Sequence, residues 1–477
     1  MIRPLLALLL LPLALTAAEA PVQAAPRPAL DRPNVVVILL DDAGYGDFEH
    51  NGNPTASTPQ IARLAHQGAS FTQFYTASPA CSASRYSLLT GRVPGRSGLG
   101  SYVIGPESQR HLHSRETTLA EGLKARGYAT GMFGKWHLGN PNAKNAFSPD
   151  ALPLAHGFDS WIGTNVSHDY GNSMLLASDP AGTEPCAGYR IIAKDLPKHQ
   201  EITDSLTQRY TEAALAFIRA KREQPFFAYV ALNQPHLGLF TSPEFKGKSR
   251  RGLFGDVMAE TDACVGSILK TLEEEGIAQN TLIVFSSDNG PWLRFMNDAK
   301  EGLNVGYAAP FRNSKGSNWE GGCRVPGLFY WPGTIPAQRS LEPASLLDVL
   351  PTVFAISGQP LPEGRSIDGR DIRQLLAPTL GGKAPADFVL TYPDSKNQPI
   401  AIRQGPWKLM TGIMQQHKDA DGGFKASPQA PLLFQLEHDL GERFNRAATE
   451  PAKVAELKQV LEQRIRQIQD EGSFWEK

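Results

Sequence analysis

The side chains with chemical reach in this sequence fall into four groups. Cys81 opens "CSASRYSLLTGR" among small neighbours, four positions before Arg85. Asp41-Asp42 and Asp288-Asn289 are two pairs of adjacent oxygen-bearing residues. Arg85, Lys135 in "GKWHLG" and Lys315 in "RNSKGSNWEGG" are cations set among small or glycine residues. His137 and His236 complete the set, the latter ending "NQPH". Hard divalent cations take oxygen ligands, and two adjacent acids need positive charge beside them to stay ionised. Arg and Lys suit a tetrahedral oxyanion as fork and point charge. A histidine exchanges protons near neutral pH. Each type also has an ordinary use: acidic pairs in solvated turns, lysines on surfaces, histidines in structural hydrogen bonds. Cys81 by itself is open to packing, a disulfide, metal ligation, thiol chemistry or conversion to something else; no local cysteine-protease signature surrounds it.

The elements expected around these residues bring most of them to one edge. "NVVVILL" at 34–40, "PFFAYVAL" at 225–232 and "TLIVFSSDNG" at 281–290 are β-branched apolar runs that predict strands buried on both faces. "VPGLFYWPG" predicts a fourth. Helices are expected from Thr58-Pro59 to Gly68, over 116–126, 204–222 and 256–275, with a short strand at 128–133. Alternating strands and helices predict an α/β domain with a largely parallel sheet, whose ligands bind beyond the strands' carboxyl ends. Asp41, Asp42, His236, Asp288 and Asn289 all follow such ends. In an extended segment Lys135 and His137 would face the same way. After a linker-like "LAPTLGGKAP", "DFVLTY", "PIAIRQ", "WKLMTG" and "PLLFQLEHD" predict a small antiparallel sheet. Val454, Leu457, Leu461, Ile465 and Ile468 mark one face of a closing helix.

The rest of the sequence sets boundaries. Forty-seven basic and 48 acidic residues in 477 leave a net charge of −1, which gives no footing for nucleic acid or an anionic membrane. Arg3, the apolar run from Leu5 to Leu15 and the small residues up to Ala20 or Ala24 predict a signal peptide at 1–24. An exported protein, periplasmic or secreted, is therefore expected, with no membrane span and no lipid-anchoring cysteine after the signal. The four cysteines, Cys81, Cys186, Cys264 and Cys323, lack zinc-site spacing. If Cys81 is kept for chemistry, at most one intrachain pair remains. Residues 25–376 are expected to form the catalytic α/β domain and 377–477 a C-terminal α+β subdomain.

Cys81-Ser82-Ala83-Ser84-Arg85 followed by Leu89-Thr90-Gly91-Arg92, together with "GYATGMFGKWHLG", resembles the two signatures of the type I sulfatases in the alkaline phosphatase-like superfamily. Ala83 stands where proline is commoner. The likeness runs from Asn34 to "FQLEHDLGERFN", and "KGSNWEGGCRVPGLFYWPG" is most similar to the arylsulfatase A and N-acetylgalactosamine-6-sulfatase branch. The resemblance implies an alkaline phosphatase-like fold: a large, mixed, mostly parallel sheet flanked by helices, plus the smaller antiparallel subdomain. It implies that a formylglycine-generating enzyme converts Cys81 to Cα-formylglycine, whose hydrate attacks sulfur. It implies Ca²⁺, with Mg²⁺ as the other choice, held by Asp41, Asp42, Asp288, Asn289 and the modified Cys81. Arg85 would orient the nucleophile; Lys135, Lys315 and Ser167 would hold sulfate. His236 with Lys315 would protonate the leaving alcohol, and His137 would take the proton that lets sulfate go.

The implied substrate is a sulfated sugar or an aryl sulfate. A phosphonate monoester or phosphodiester hydrolase is the alternative on the same site, and a silent sulfated-glycan-binding protein follows if Cys81 escapes conversion. The segments 237–251 and 294–312 are expected to line the sugar site; Lys246, Lys248 and Arg294 are expected on a solvated face, with contact to further sulfates or carboxylates of the substrate as the alternative. Asn165-Val166-Ser167 matches a glycosylation sequon beside the pocket and is read as coincidence. Oligomeric state leaves no sequence signal.

Overall fold

The structure is a computed structural model that describes residues 32–143, 146–179, 181, 186, 188–293, 304–394, 396–418 and 424–472. The expected signal peptide and Arg294 lie outside those residues. The chain opens with β1 (Asn34–Leu40), α1 (Pro59–Gln67), β2 (Ala69–Tyr75), α2 (Cys81–Thr90), α3 (Leu119–Ala125) and β3 (Ala129–Gly134). A two-stranded hairpin of β4 (Asn142–Ala143) and β5 (Ala146–Phe147) follows, then β6 (Ser160–Thr164), β7 (Met174–Ser178) and β8 (Tyr189–Lys194). Next come α4 (Gln200–Asp204), α5 (Leu206–Lys221), β9 (Phe226–Ala231), α6 (Gly252–Glu274) and β10 (Thr281–Ser287). The main sheet is completed around α7 (Glu320–Cys323), β11 (Arg324–Tyr330), β12 (Gln338–Ser340), β13 (Ala344–Ser345), α8 (Val349–Ser357) and α9 (Arg373–Leu376). The C-terminal part holds β14 (Val389–Pro393), β15 (Pro399–Gln404), β16 (Trp407–Lys418), β17 (Phe424–Gln435) and α10 (Pro451–Glu471).

Eleven of the described strands form one sheet in the order β12-β2-β11-β10-β1-β9-β3-β6-β7-β8, with β13 also on β2. Its four central strands, β10, β1, β9 and β3, are mutually parallel, so their carboxyl ends meet on one rim. β11 pairs antiparallel with β10 and β2, and β7 with β6 and β8, which makes the sheet mixed. Along β1, Val35, Val37 and Leu39 enter one core, while Val36, Ile38 and Leu40 enter another on the opposite face. That two-sided burial is why the strand carries an unbroken apolar run.

The second sheet, β14-β15-β16-β17, is antiparallel. Leu457 and Leu461 of α10 pack with Ile402, Leu409 and Leu433 of that sheet, and Ile468 joins the main core. No helix among the described residues is long and apolar enough to cross a membrane.

Two helix starts differ from the sequence reading and a third is capped by a distant residue, each for a local reason. At α1, Thr58 precedes Pro59 as expected, but its hydroxyl accepts from Glu49 rather than capping the helix. The free amides of Gln60 and Ile61 go instead to the Asp262 carboxylate on α6, at 3.1 and 2.8 Å. α3 begins at Leu119, not Glu116, because Thr118 and Glu121 form a reciprocal capping box. Glu116 is drawn away to Arg92 and Tyr86. α6 begins at Gly252, ahead of Asp256, whose carboxylate accepts the amides of Gly247, Lys248 and Ser249 in the preceding loop.

Candidate active site

The rim is built by backbone bonds between neighbouring strand ends. The Asp41 amide donates to Gln234 O at 3.2 Å and the Asp288 amide to Leu40 O at 3.0 Å, which fixes the two acidic turns side by side. Asp42 takes a left-handed conformation, φ 65°, a region that Asp tolerates better than most residues. Its amide donates to Asp288 Oδ1 at 3.1 Å. Beyond β3, Gly134 has φ 124°, and a Cβ there would meet Ala231 O at 1.8 Å, so only glycine turns the chain here to deliver Lys135. Cys81 is the first residue of α2, so its side chain sits at the positive end of that helix.

These turns gather one buried charged cluster. Asp41, Asp42 and Asp288 supply three carboxylates; Arg85, Lys135 and Lys315 supply three cations; all are at most 2% exposed. Arg85 Nη2 and Nε hold Asp288 Oδ2 at 2.9 and 3.2 Å, and its Nη1 donates to Lys135 O. Lys135 Nζ donates to Asp41 Oδ2 at 2.5 Å and to Ser167 Oγ at 3.4 Å. Lys315 Nζ reaches Asp42 Oδ1 at 2.6 Å and Cys81 Sγ at 3.0 Å. Ligating atoms of Asp41, Asp42, Cys81 and His236 all lie within 4.8 Å of one another. Three buried oxygens here, Asp41 Oδ1, Asp42 Oδ2 and Asn289 Oδ1, accept no hydrogen bond. An unsatisfied buried acceptor costs about 1–3 kcal/mol.

The electrostatics follow from burial and charge. Burial opposes ionisation of Asp41, but Lys135, His236, Arg85 and Lys315 together hold it well below the usual carboxylate range. Burial and the Asp41 charge push Asp288 upward. Burial pushes the unmodified Cys81 thiol up to about 12 against the pull of Lys315 and Lys135, so it keeps its proton at neutral pH. Burial and then Lys315 lower His236, which favours a neutral ring. Its Nδ1 lies 2.8 Å from Leu237 O, and a carbonyl only accepts, so that nitrogen carries the hydrogen and Nε2 is the exchangeable one.

The chain matches the Sulfatase family model over residues 33–358. Human arylsulfatase A is 37% identical over 453 residues, covering 90% of this chain and 86% of the relative. Mouse steryl-sulfatase is 34% identical over 506 residues, covering 90% and 80%. Among solved structures, Ps i-CgsB in complex with k-i-k-neocarrahexaose superposes with a TM-score of 0.72 at 27% identity, covering 94% and 95%. The chain belongs to the sulfatase family. It is a sulfuric ester hydrolase with the mixed-sheet fold of its relatives.

In this sulfatase His137 stands apart from the expectation of a shared face with Lys135. It lies past the end of β3 with φ 57°, and a left-handed residue breaks the two-residue alternation. Its Nε2 is 2.9 Å from Ile104 O, and its ring meets the edge of Tyr170 at 6.0 Å. Ser167 touches Lys135; the adjacent His168 has its Nε2 2.7 Å from Gly238 O, and its ring packs on Phe240 and His236. Three further neighbours were not foreseen. Asp169 Oδ1 is 3.8 Å from His236 Nδ1. Trp292 lies tilted against His236 at 5.4 Å and under the Lys315 ammonium at 4.9 Å. Tyr170 is the third. Asp169 and Tyr170 follow Ser167 directly in "VSHDYG", and Trp292 follows "DNGP", so adjacency to site residues was the available signal.

Asn165 is fully buried, with its amide bonded to Asn140 and Met174, which leaves no room for a glycan. Lys246 and Lys248 are exposed as expected. All four cysteines carry free thiols. A cleft of about 1120 Å³ elsewhere, bordered by Phe311, Phe388 and Trp407, contains none of the charged cluster; the site is recognised by its chemistry.

Proposed function

We propose that Cys81, Arg85, Lys135, His137, His236 and Lys315 hydrolyse a sulfate ester beside a divalent cation held by Asp41, Asp42, Asp288 and Asn289. The observation that carries this reading is three buried oxygens without a hydrogen bond, on Asp41, Asp42 and Asn289, in the cluster where Lys315 meets Cys81 and Lys135 meets Asp41. An all-oxygen donor set suits Ca²⁺ or Mg²⁺, and the open lone pairs supply the acceptors that such an ion satisfies. Three carboxylates and three cations cancel, so a divalent ion would leave the positive excess that an anionic ester requires. With Cys81 converted to formylglycine, the pair supplies a hydrated-aldehyde oxygen as nucleophile and positive charge to acidify it.

The chain's own residues do the rest. Lys135 and Lys315 approach from two sides, each already against a carboxylate, and hold sulfate oxygens as charge develops. Ser167 adds a hydroxyl beside Lys135. Arg85 locks Asp288 and faces the residue-81 position from the same helix. The charge of a bound sulfate ester favours protonation of His236 at Nε2, and His236 beside Lys315 gives that proton to the leaving alcohol. His137 donates Nε2–H to Ile104 O, which leaves Nδ1 to take the proton that releases sulfate.

A sulfated sugar is the proposed natural substrate, with aryl sulfates also accepted; the sugar-bound relative and arylsulfatase A support that reading, and the sulfated steroid named by steryl-sulfatase is the competitor. The apolar, small-residue stretch at the N-terminus supports export. The test is kcat/KM on matched aryl sulfate, aryl phosphodiester and aryl phosphonate, with a sulfated sugar and a steroid sulfate alongside. Preference for the sulfate esters is expected. Preference for a phosphorus ester would replace this reading with the phosphonate or phosphodiester alternative. An unmodified Cys81 in inactive, glycan-binding protein would replace it with a binding role.

A further inference from the structure

Three sequence stretches that the catalytic reading leaves unused meet at a second buried charge cluster. Lys408 lies in "WKLMTG" on β16, Glu320 in "NWEGG" at the start of α7, and Glu442 in "DLGERF" after β17. All three are wholly buried. Lys408 Nζ is 3.0 Å from Glu320 Oε1 and 2.8 Å from Glu442 Oε1. Glu442 Oε2 accepts the backbone amide of Glu320 at 2.7 Å, and Tyr75 donates its hydroxyl to Glu320 Oε2 at 2.7 Å. Arg324 adds a cation 3.5 Å from the same oxygen, so two carboxylates face two positive charges.

Those contacts grip one loop. Residues 312–322 carry Lys315, whose ammonium meets Asp42 and Cys81. The C-terminal sheet holds this loop again at Asn318: its Nδ2 donates to Gly412 O at 2.8 Å, and its Oδ1 accepts the Met414 amide at 3.1 Å. Arg312 donates to Glu442 O at 2.9 Å, closing the loop's other end. On the active-site side the Lys315 amide donates to Pro291 O and the Gly290 amide to Gly322 O. A Cβ on Gly290 would meet Gly321 O at 1.9 Å, so loop and acidic turn touch backbone to backbone. Glu320 and Lys315 thus lie on one short loop held from both sides.

We infer that Lys408, Glu442 and Asn318 are positioning residues for catalysis: the C-terminal sheet clamps the 312–322 loop at Glu320 and Asn318 and thereby sets the Lys315 ammonium against Asp42 and residue 81. The inference rests on the catalytic assignment of Lys315. It assigns the C-terminal sheet a part in turnover through the loop, apart from any contact with substrate.

A double-mutant cycle on the full chain tests it, because coupled residues give non-additive effects and independent ones multiply. Steady-state kcat and KM on an aryl sulfate are measured for Lys315→Ala, Lys408→Met, Asn318→Ala and each pair with Lys315→Ala. Folding is checked by thermal melting. The clamp variants are expected to lower kcat about 10-fold or more with little change in KM. In the Lys315→Ala background they are expected to cost less than about 2-fold further. Where Lys408→Met does not fold, Asn318→Ala decides, since it removes the second grip without exposing a buried charge. Wild-type kcat in a folded clamp variant, or losses that multiply with Lys315→Ala, overturns the inference. Full activity of Lys315→Ala alone would instead overturn the role given to Lys315.

Discussion

The two buried charge clusters of this protein use the same side-chain types and end differently. Around Lys408 every carboxylate oxygen of Glu320 and Glu442 has a cation, hydroxyl or amide within 3.0 Å. Around Cys81, Asp41 Oδ1 and Asp42 Oδ2 have only Arg85 Nη2 at 3.7 Å and His236 Nε2 at 3.6 Å, and Asn289 Oδ1 accepts no hydrogen bond. Burial alone does not explain that, since both clusters are sealed to a similar degree. A network whose carboxylates are all held by close partners specifies structure; one whose oxygens lack a close donor can take a cation. The closed cluster joins the C-terminal sheet to the main body, and the open one occupies the rim where four parallel strands end.

Substitution separates the two most sharply. In the open cluster, Asp42→Ala is expected to reduce kcat/KM on an aryl sulfate by on the order of 10³-fold while thermal melting shows a folded chain. Retained turnover would remove the distinction. In the closed cluster, Lys408→Met strands two buried carboxylates and is expected to cost about 3–5 kcal/mol of stability, read from denaturant unfolding. A loss below about 1 kcal/mol would mean that its ions are replaceable packing.

The smallest effect concerns a third kind of buried carboxylate, satisfied by amides alone. Burial pushes Asp262 up to about 6, against the amides of Ile61 and Gln60 that it caps. Between an ordinary carboxylate pKa near 4 and that value, the folded chain holds a proton that the unfolded chain has released. Stability therefore falls as pH rises from about 4 to 6, by roughly 2 kcal/mol, and the slope from Asp262 fades above that window. Asp262→Asn should flatten that segment of the stability–pH curve; an unchanged slope would show that the proton is not held there.

The rim was legible because its strands are. β1, β9 and β10 are unbroken apolar runs with polar residues at their ends, and that pattern reports both the element and the site. α2 was not legible as a helix. All ten of its residues are buried, including Arg85 and three serines, so no solvent face imprints a helical period on "CSASRYSLLT". β6, β7 and β8 are short edge-ward strands whose runs are too brief for a periodic signal. The left-handed turn at His137 is likewise invisible to a rule of alternation. The closed cluster lay furthest out of reach. Glu320 is 88 residues from Lys408 and 122 from Glu442, and nothing local marks them as partners. The cap on α1 shows the same limit: "TP" gave the position, while Asp262, about 200 residues on, supplies the acceptor.

The claim at the centre of this account is that the open oxygens around Cys81 hold a divalent cation. Calcium titration of the chelator-stripped full chain, followed by calorimetry, tests it most directly. One ion per chain is predicted for the wild type and for Lys408→Met where that variant folds, and none for the folded Asp41→Ala/Asp42→Ala pair. No binding of calcium or magnesium by the wild type, or undiminished binding by the double variant, would contradict it.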